Sequence, residues 1–279
     1  MHQNLKKAVD LAGQVAIVTG GTGKLGPYMI ETLLWAGARV VSFSRSGDKK
    51  KESKVEELKK MYGEHLSFMS VDITQEDEIA FAVKNVISNF GIPAILVNNA
   101  GIDAPPDAAI EDSGPFETYP LKAWQALLDS HLTGTMLMSR ELVRRWIPNG
   151  IQGRIVNVSS LYGEGAPHQD IYEHRRKERG DDFFKPAAYT TVKAGIVGFT
   201  KWLAGYCGPH GIRVNVLVPG GVDHNHPKEF YNAYSSYTML GRMGEHDDLR
   251  WPLLFLASDA SQYMTGAKLI VDGGWTAYA

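Results

Sequence analysis

The stretch Val15-Ala-Ile-Val-Thr-Gly-Gly-Thr-Gly-Lys-Leu-Gly26 decides the fold. An apolar pentad, Val15–Thr19, reads as a buried strand. It feeds a glycine-rich turn, and a helical pattern follows with Pro27 in its first turn, a position proline tolerates. The glycines fit two registers. Gly20, Gly23 and Gly26 give T-G-x-x-G-x-x-G; Gly21, Gly23 and Gly26 give G-x-G-x-x-G. In either register the backbone can approach a pyrophosphate, and the helix N-terminus supplies amide donors and positive potential. The residues Gly20, Gly21, Thr22, Gly23, Lys24, Leu25 and Gly26 are therefore candidates for holding a dinucleotide. The plainer alternative is a tight turn that only packs helix on strand.

Outward from this stretch, apolar runs alternate with helical patterns. Strands are expected at 15–19, 39–44, 66–71, 94–98, 154–159, 212–218 and 269–271, and helices at about 24–37, 49–62, 75–90, 120–147, 187–207 and 247–258. The apolar runs are continuous rather than alternating, as for strands buried on both faces of a parallel sheet. Such an order predicts an α/β fold: one doubly wound parallel sheet of about seven strands with helices on both faces. No Pro/Gly/Ser-rich linker divides it, so residues 1–279 read as one domain. The long connections 100–120 and 161–186 both leave strands at their carboxyl ends, where ligands bind in this architecture.

Bulk properties exclude several classes. A net charge of −2 argues against nucleic-acid or membrane-surface partners. Cys207 is the sole cysteine, so no intramolecular disulfide forms, in keeping with a reducing cytoplasm. The N-terminal segment lacks a signal-peptide pattern, and no run approaches the roughly 20 apolar residues of a membrane span. A cytoplasmic protein acting on a small molecule is expected.

The second strand ends in Val40-Val-Ser-Phe-Ser-Arg-Ser46. A carboxylate there would grip the ribose hydroxyls of NAD; Ser44 stands in its place and Arg45 follows. An Arg beside a hydroxyl suits a 2′-phosphate, and Lys24 adds a second cation, so NADP(H) is favoured over NAD(H). Asp48 bending back would rescue NAD, and Arg45 as a solvated loop residue is the duller reading.

The chemistry centres on Tyr189-Thr-Thr-Val-Lys193. On a helix, positions i and i+4 share one face, and an ammonium beside a phenol favours the phenolate. That yields a proton donor and acceptor for an alcohol/carbonyl pair. Asn157-Val-Ser-Ser160 closes an upstream strand with hydroxyls that could hydrogen-bond the reacting oxygen.

Taken with Asp72, Asn98-Asn-Ala-Gly101, Arg213-Val-Asn215, Pro219-Gly220 and Asp272-Gly-Gly274, the chain resembles the compact branch of the short-chain dehydrogenase/reductases along almost its whole length. The resemblance implies a Rossmann-type fold and an NAD(P)-dependent oxidoreductase. By it, Asp72 and Ile73 would meet the adenine, and Asn98, Asn99, Ala100 and Gly101 would support the cofactor bed. Pro219, Gly220 and Val222 would border the nicotinamide. Ser160, preferred over Ser159 because Ser160-Leu-Tyr-Gly163 matches the family's Ser-x-x-Gly, would polarise the substrate oxygen. Tyr189 would be the acid/base, and Lys193 would also hold the nicotinamide ribose.

Three departures stand out. The branch usually reads T-G-x-x-x-G-x-G, whereas Lys24 replaces its middle glycine and Gly23 sits one position early, giving the spacing of the longer, epimerase-like branch. His131, in Asp129-Ser-His-Leu-Thr-Gly134, stands where the family carries a catalytic asparagine. It could hold the asparagine's relay water, shuttle protons itself, be a core histidine at helical spacing from Trp124 and Leu128, or mark impaired turnover. Finally, Ser160 and Tyr189 lie 29 positions apart, much further than in the family. The extra segment, about 164–185, carries His174, Arg175, Arg176, Lys177 and Arg179. Arg175 and Arg176 are candidates for meeting a substrate phosphate or carboxylate; a solvated loop or a subunit contact is the alternative.

The region 219–246 is where relatives carry a mobile substrate loop. There His224 is a further substrate candidate, while His224 and His226 alone make a poor zinc site, so no metal is expected. Tyr231, Tyr234 and Tyr237 either line a pocket or pack a short helix. The segments 101–108, 183–189 and 271–277 resemble a bacterial subgroup, some members of which build surface sugars; a polar or anionic sugar-type substrate is implied. Two rivals to hydride transfer remain: a nucleotide-bound scaffold without turnover, and a cofactor-recycling epimerase or dehydratase. Relatives are mostly homotetramers, so a homo-oligomer, dimer or tetramer, is expected.

Overall fold

The computed structural model describes residues 3–45, 53–102, 110–180 and 182–278. Seven strands form one sheet: β1 (Val15–Thr19), β2 (Arg39–Ser44), β3 (Leu66–Ser70), β4 (Ile95–Asn98), β5 (Arg154–Val158), β6 (Arg213–Pro219) and β7 (Lys268–Val271). Their order is β3-β2-β1-β4-β5-β6-β7, parallel throughout. The strand order reverses between β1 and β4, which opens a crevice beyond their carboxyl ends. This is the Rossmann-type α/β sheet the sequence predicts, with individual strand ends moved by one residue.

The helices are α1 (Gln3–Val9), α2 (Gly26–Trp35), α3 (Ser53–Tyr62), α4 (Glu76–Phe90), α5 (Leu121–Leu127), α6 (Gly134–Asn149), α7 (Glu173–Arg179), α8 (Ala187–Cys207), α9 (Lys228–Ser235) and α10 (Arg250–Ala257). They cover both faces. Val15 and Ile17 point into one core with α4, α6 and α8; Ala16 and Val18 point into the other with α2 and α10. The pleat of β1 thus alternates between two apolar layers, which is why its five residues are all buried. The edge strand β7 instead alternates exposed and half-buried positions, so the expectation of two-sided burial holds for the inner strands only. Among the described residues no helix is long and apolar enough to cross a membrane.

Three expectations need correction. The helix foreseen at 120–147 is α5 and α6 joined by a π-helical turn, Leu128–Thr133. The widened turn coincides with a tight spot: a Cβ on Gly134 would lie 2.6 Å from Ile73 Cδ1. Such turns insert one residue into a helix and re-aim side chains, here His131. Second, the charged segment between Ser160 and Tyr189 is not structureless. It holds α7, stopped by Gly180 at φ +71, and Glu173 pairs with Lys177 one turn on, at 3.2 Å. Third, the helix expected from 24 begins at Gly26, because residues 21–25 form the loop itself. Asp48 and residues 103–109 lie outside the described residues.

Candidate active site

Gly20 has φ +66, and a Cβ there would sit 2.8 Å from Ala100 Cα. On Gly26 a Cβ would sit 2.3 Å from the Gly20 carbonyl oxygen, so only glycine lets α2 start this close to the strand end. The protein's own packing therefore demands these two, and Gly21 as well, where a Cβ would lie 2.2 Å from Ser42 Oγ. Gly23 is different: its nearest contact would be the Gly20 oxygen at 3.2 Å. The missing side chain at Gly23 leaves room outside the protein, as a cradle for a phosphate requires. Gly21 and Thr22 are buried beneath it, Leu25 is half-buried and Lys24 is exposed.

The crevice floor is tied together by β1 and β4. Thr19 Oγ1 accepts from the Asn99 and Ala100 amides at 3.1 and 3.0 Å, and Asn99 Nδ2 donates to the Thr19 and Gly20 carbonyls at 3.1 Å each. Asn98 is turned away: it is 2% exposed, and its amide donates to Ser139 Oγ and Asn157 Oδ1. It braces the bed from beneath rather than facing a ligand. Asp72 accepts from the backbone and hydroxyl of Thr74 at 2.9 and 2.8 Å, shaping the turn into α4, and Ile73 is buried beside it. Ser44 and exposed Arg45 close β2, where Phe43 O accepts from Gly20 N at 2.7 Å. These features fit a dinucleotide: an open cradle at Gly23, a floor bound by Asn99, and Arg45 at the neighbouring strand end.

Across the crevice, Pro219 ends β6, Gly220 N donates to Val271 O at 2.8 Å, and Val222 is buried. His224 Nδ1 donates to Val222 O at 2.9 Å, so its Nε2 is the acceptor for Lys24 Nζ at 2.6 Å. The two loops flanking the crevice are thus strapped together. Through Nε2, His224 faces the glycine loop. Burial, then the Lys24 charge, then His226 push the imidazole down to about 4 from the usual 6.5; His246 and Asp223 also face it. Between pH 6.5 and 4 the unfolded chain binds a proton that the folded one refuses. Stability therefore falls as pH drops through that window. His246, lowered mainly by burial, adds slope in the same sense. Denaturant midpoints measured from pH 7 to 4 are expected to fall more steeply for the parent than for His224→Ala; parallel curves would refute the neutral strap.

On α8, Lys193 is 5% exposed and its Nζ donates to Val158 O at 3.1 Å. Tyr189 stands one turn earlier, its ring centre 5.6 Å from Lys193 Nζ. The neighbouring serines have separate duties. Ser159 is buried and donates to Lys193 O at 2.7 Å; Ser160 is half-buried and its Oγ accepts from Tyr162 N at 3.2 Å. Ser160 therefore keeps its proton for another acceptor, whereas Ser159 spends its own on the fold. His131 is 3% exposed, holds Ile102 O at 2.7 Å through Nε2 and meets the Tyr189 ring edge-on at 5.8 Å. A Cβ on Gly101 would lie 2.1 Å from its ring. The imidazole is thus a wedge between the cofactor bed and Tyr189.

Arg175 and Arg176 do not form a fork aimed inward. Arg176 Nε donates to Phe183 O at 3.0 Å, Nη2 to Gln169 O at 3.1 Å, and its guanidinium covers Phe184. Arg175 is exposed and stacks over Phe183 at 4.9 Å. Both arginines serve the segment's own backbone and rings, which pull planar cations at short range. Instead the segment docks by aromatic contact. Tyr172 packs on Phe230, His168 stacks on Tyr237 at 4.0 Å, and Tyr237 donates to Asp170 at 2.6 Å. With Tyr162, Tyr234 and Trp275 these form one wall beside Tyr189. A residue that sequence reasoning overlooked is Lys185, whose Nζ lies 4.2 Å from the Tyr189 ring centre. Its signal was present: a lysine four residues before the tyrosine, as Lys193 is four after.

The family model described as short chain dehydrogenase matches residues 14–173, and that described as Enoyl-(Acyl carrier protein) reductase matches residues 181–276. The chain is 32% identical over 276 residues to 3beta-hydroxysteroid dehydrogenase 2 of Eggerthella lenta, covering 96% of each chain. It resembles the crystal structure of a short chain dehydrogenase from Leptospira borgpetersenii with bound NAD+, at 32% identity and TM-score 0.83, over 99% of this chain and 97% of that one. It also resembles a gluconate 5-dehydrogenase from Burkholderia cenocepacia in complex with NADP and tartrate, at 26% identity and TM-score 0.81, over 99% and 100%.

Proposed function

The chain belongs to the short-chain dehydrogenase/reductase family of oxidoreductases, and from that premise we propose that it moves hydride reversibly between NADP(H) and a secondary alcohol or ketone. The observation that carries this reading is Tyr189 beside buried Lys193, with Ser160 at the adjacent strand end. When bound, the nicotinamide supplies or accepts the hydride. In the reductive direction Ser160 donates a hydrogen bond to the carbonyl oxygen, and the Tyr189 hydroxyl gives that oxygen its proton. The Lys193 ammonium, held on Val158 O, favours the phenolate left behind. Oxidation reverses each transfer. His131 positions the phenol by its edge contact and keeps the backbone at Gly101 and Ile102 in register with it.

The NADP preference rests on Arg45, because Lys24 is engaged with His224. Fluorescence titration at fixed salt is expected to give tighter binding of NADPH than NADH. Arg45→Ala should weaken NADPH about tenfold, ~1.4 kcal/mol, with a smaller change for NADH. Tighter NADH binding untouched by the substitution would overturn this preference. The relatives above are named for a steroid and a sugar acid. A polar, sugar-type substrate is supported here by the phenol and indole faces of Tyr162, Tyr237 and Trp275. The surface-sugar reading rests on the segments 101–108, 183–189 and 271–277 alone. Self-association is supported by Trp202 and Tyr206, exposed on α8 with rings stacked 5.7 Å apart.

A further inference from the structure

The helix α9 is eight residues long, follows Pro227 and buries one edge through Phe230 and Tyr234. Helices this short are marginal in water on their own, so neighbours have to hold it. The inserted segment stands on one side. Tyr172 and His174 pack on the Phe230 ring at 5.6 and 5.5 Å between ring centres. Just past the helix, Tyr237 donates to Asp170 Oδ2 at 2.6 Å and stacks on His168 at 4.0 Å. Trp275 stands on the other side, 4.4 Å from the Tyr234 ring and 5.2 Å from that of Tyr237. His168 meets Trp275 edge-on at 5.4 Å, so the two holders also touch each other.

Two parts of the site depend on where α9 lies. One is the turn after β6: the Tyr234 hydroxyl accepts from Gly221 N, and a Cβ on Gly221 would lie 2.7 Å from the Tyr234 ring. The other is the aromatic wall. Trp275 meets Tyr162 edge-on at 6.5 Å, and Tyr162 meets Tyr189 edge-on at 6.4 Å. A hydrogen bond of 3.2 Å between the Tyr162 and Tyr172 hydroxyls ties the inserted segment to the same wall. Most of these contacts are ring against ring, which fixes distance better than direction. The bond from Tyr237 to Asp170 is directional and charge-assisted. Asp170 is exposed and Tyr237 half-buried, so this bond closes the contact from outside.

We propose that the inserted segment is a permanent clasp on α9, with Asp170 and Tyr237 as its positioning pair, so that the turn after β6 and the aromatic wall stand in place before cofactor or substrate arrives. The proposal goes beyond the hydride-transfer reading, because it concerns the order of the site without any ligand and is testable without turnover. Under that reading the inserted segment is the builder of the substrate wall beside Tyr189.

Amide hydrogen exchange of residues 228–238 is followed by mass spectrometry in the full chain, with and without saturating NADP+. In the cofactor-free parent this exchange is expected to be slow, and NADP+ to change it by less than about twofold, because no local opening is left for the ligand to suppress. Tyr237→Phe keeps the ring and removes only the hydroxyl. It should speed exchange about tenfold, the lower end of what a hydrogen bond to a charged group contributes. Asp170→Ala should do the same, and Asp170→Asn, whose side-chain oxygen still accepts, should restore much of the protection. Peptides from β1 and β4 should exchange as in the parent. Fast exchange of 228–238 in the cofactor-free parent that slows only with NADP+ overturns the proposal, since the ligand then orders α9. So does protection untouched by Tyr237→Phe. Should a variant loosen β1 and β4 as well, the parent with and without NADP+ decides alone. Failure of the cofactor reading has another signature: neither NADPH nor NADH titrates, while 228–238 stays protected in the parent and loosens in Tyr237→Phe.

Discussion

Tyr189→Phe is expected to lose turnover by about 10²–10⁴-fold, the usual contribution of a positioned general acid, while NADPH titrates as in the parent. The substitution removes one oxygen and leaves the ring. His131, Tyr162, Lys185 and Lys193 all meet Tyr189 through that ring, so the phenylalanine should sit where the tyrosine sat. Loss of rate with cofactor binding retained therefore reports the proton and not the packing. The measurement is steady-state turnover beside fluorescence titration on one preparation. Full turnover in the variant would end the assignment of Tyr189 as acid/base, and with it the roles given to Ser160 and Lys193.

Removing Glu31 should have the largest effect on stability. Glu31 and Arg250 join α2 to α10 at 2.6 Å, with side chains 5% and 6% exposed. Glu31 also receives Lys54 at 2.7 Å. Arg250 lies over the Trp35 ring at 4.3 Å and reaches the Tyr28 carbonyl and Asp247. Glu31→Ala strands a buried guanidinium whose other carboxylate partner, Asp247, is 75% exposed. Breaking such a pair costs about 3–5 kcal/mol, roughly a fifth or more of a typical total of about 5–15 kcal/mol. The thermal midpoint should fall by roughly 10 °C. The double variant Glu31→Met with Arg250→Met should recover much of this, because neither charge is then buried. A midpoint within a degree of the parent for Glu31→Ala would refute the account. Since α2 begins at Gly26, the same variant should also loosen the glycine loop.

The inner strands and the glycine loop were legible because each is decided locally. An apolar run with no polar face has to be covered on both sides, and a glycine trio between strand and helix has few other uses. The Tyr189–Lys193 pair was legible for the same reason, being set by one turn of helix. What escaped depends on long-range packing. The π-helical turn at Leu128–Thr133 coincides with the close approach of Gly134 to Ile73, 61 positions earlier in the chain. Lys24 and His224 meet across 200 positions, and no local pattern foretells their strap. In the inserted segment charge was read as reach: the arginines looked available, but nearby carbonyls and phenylalanine faces claim them first. Lys185 is a basic residue of the segment that lies over the Tyr189 ring.

Gly101 and His131 carry a consequence for how this sequence could have changed over time. The imidazole fills the volume that even a methyl group on residue 101 would need, so the two positions are not independent in descent. A smaller side chain at 131, such as the asparagine of relatives, vacates that space and gives up the imidazole's contacts with Ile102 O and the Tyr189 ring. Once it has, residue 101 is released to acquire a methyl. From then on the way back to histidine is barred until that methyl is lost. The pair works as a ratchet, and lineages that keep histidine must also keep a bare backbone thirty residues upstream.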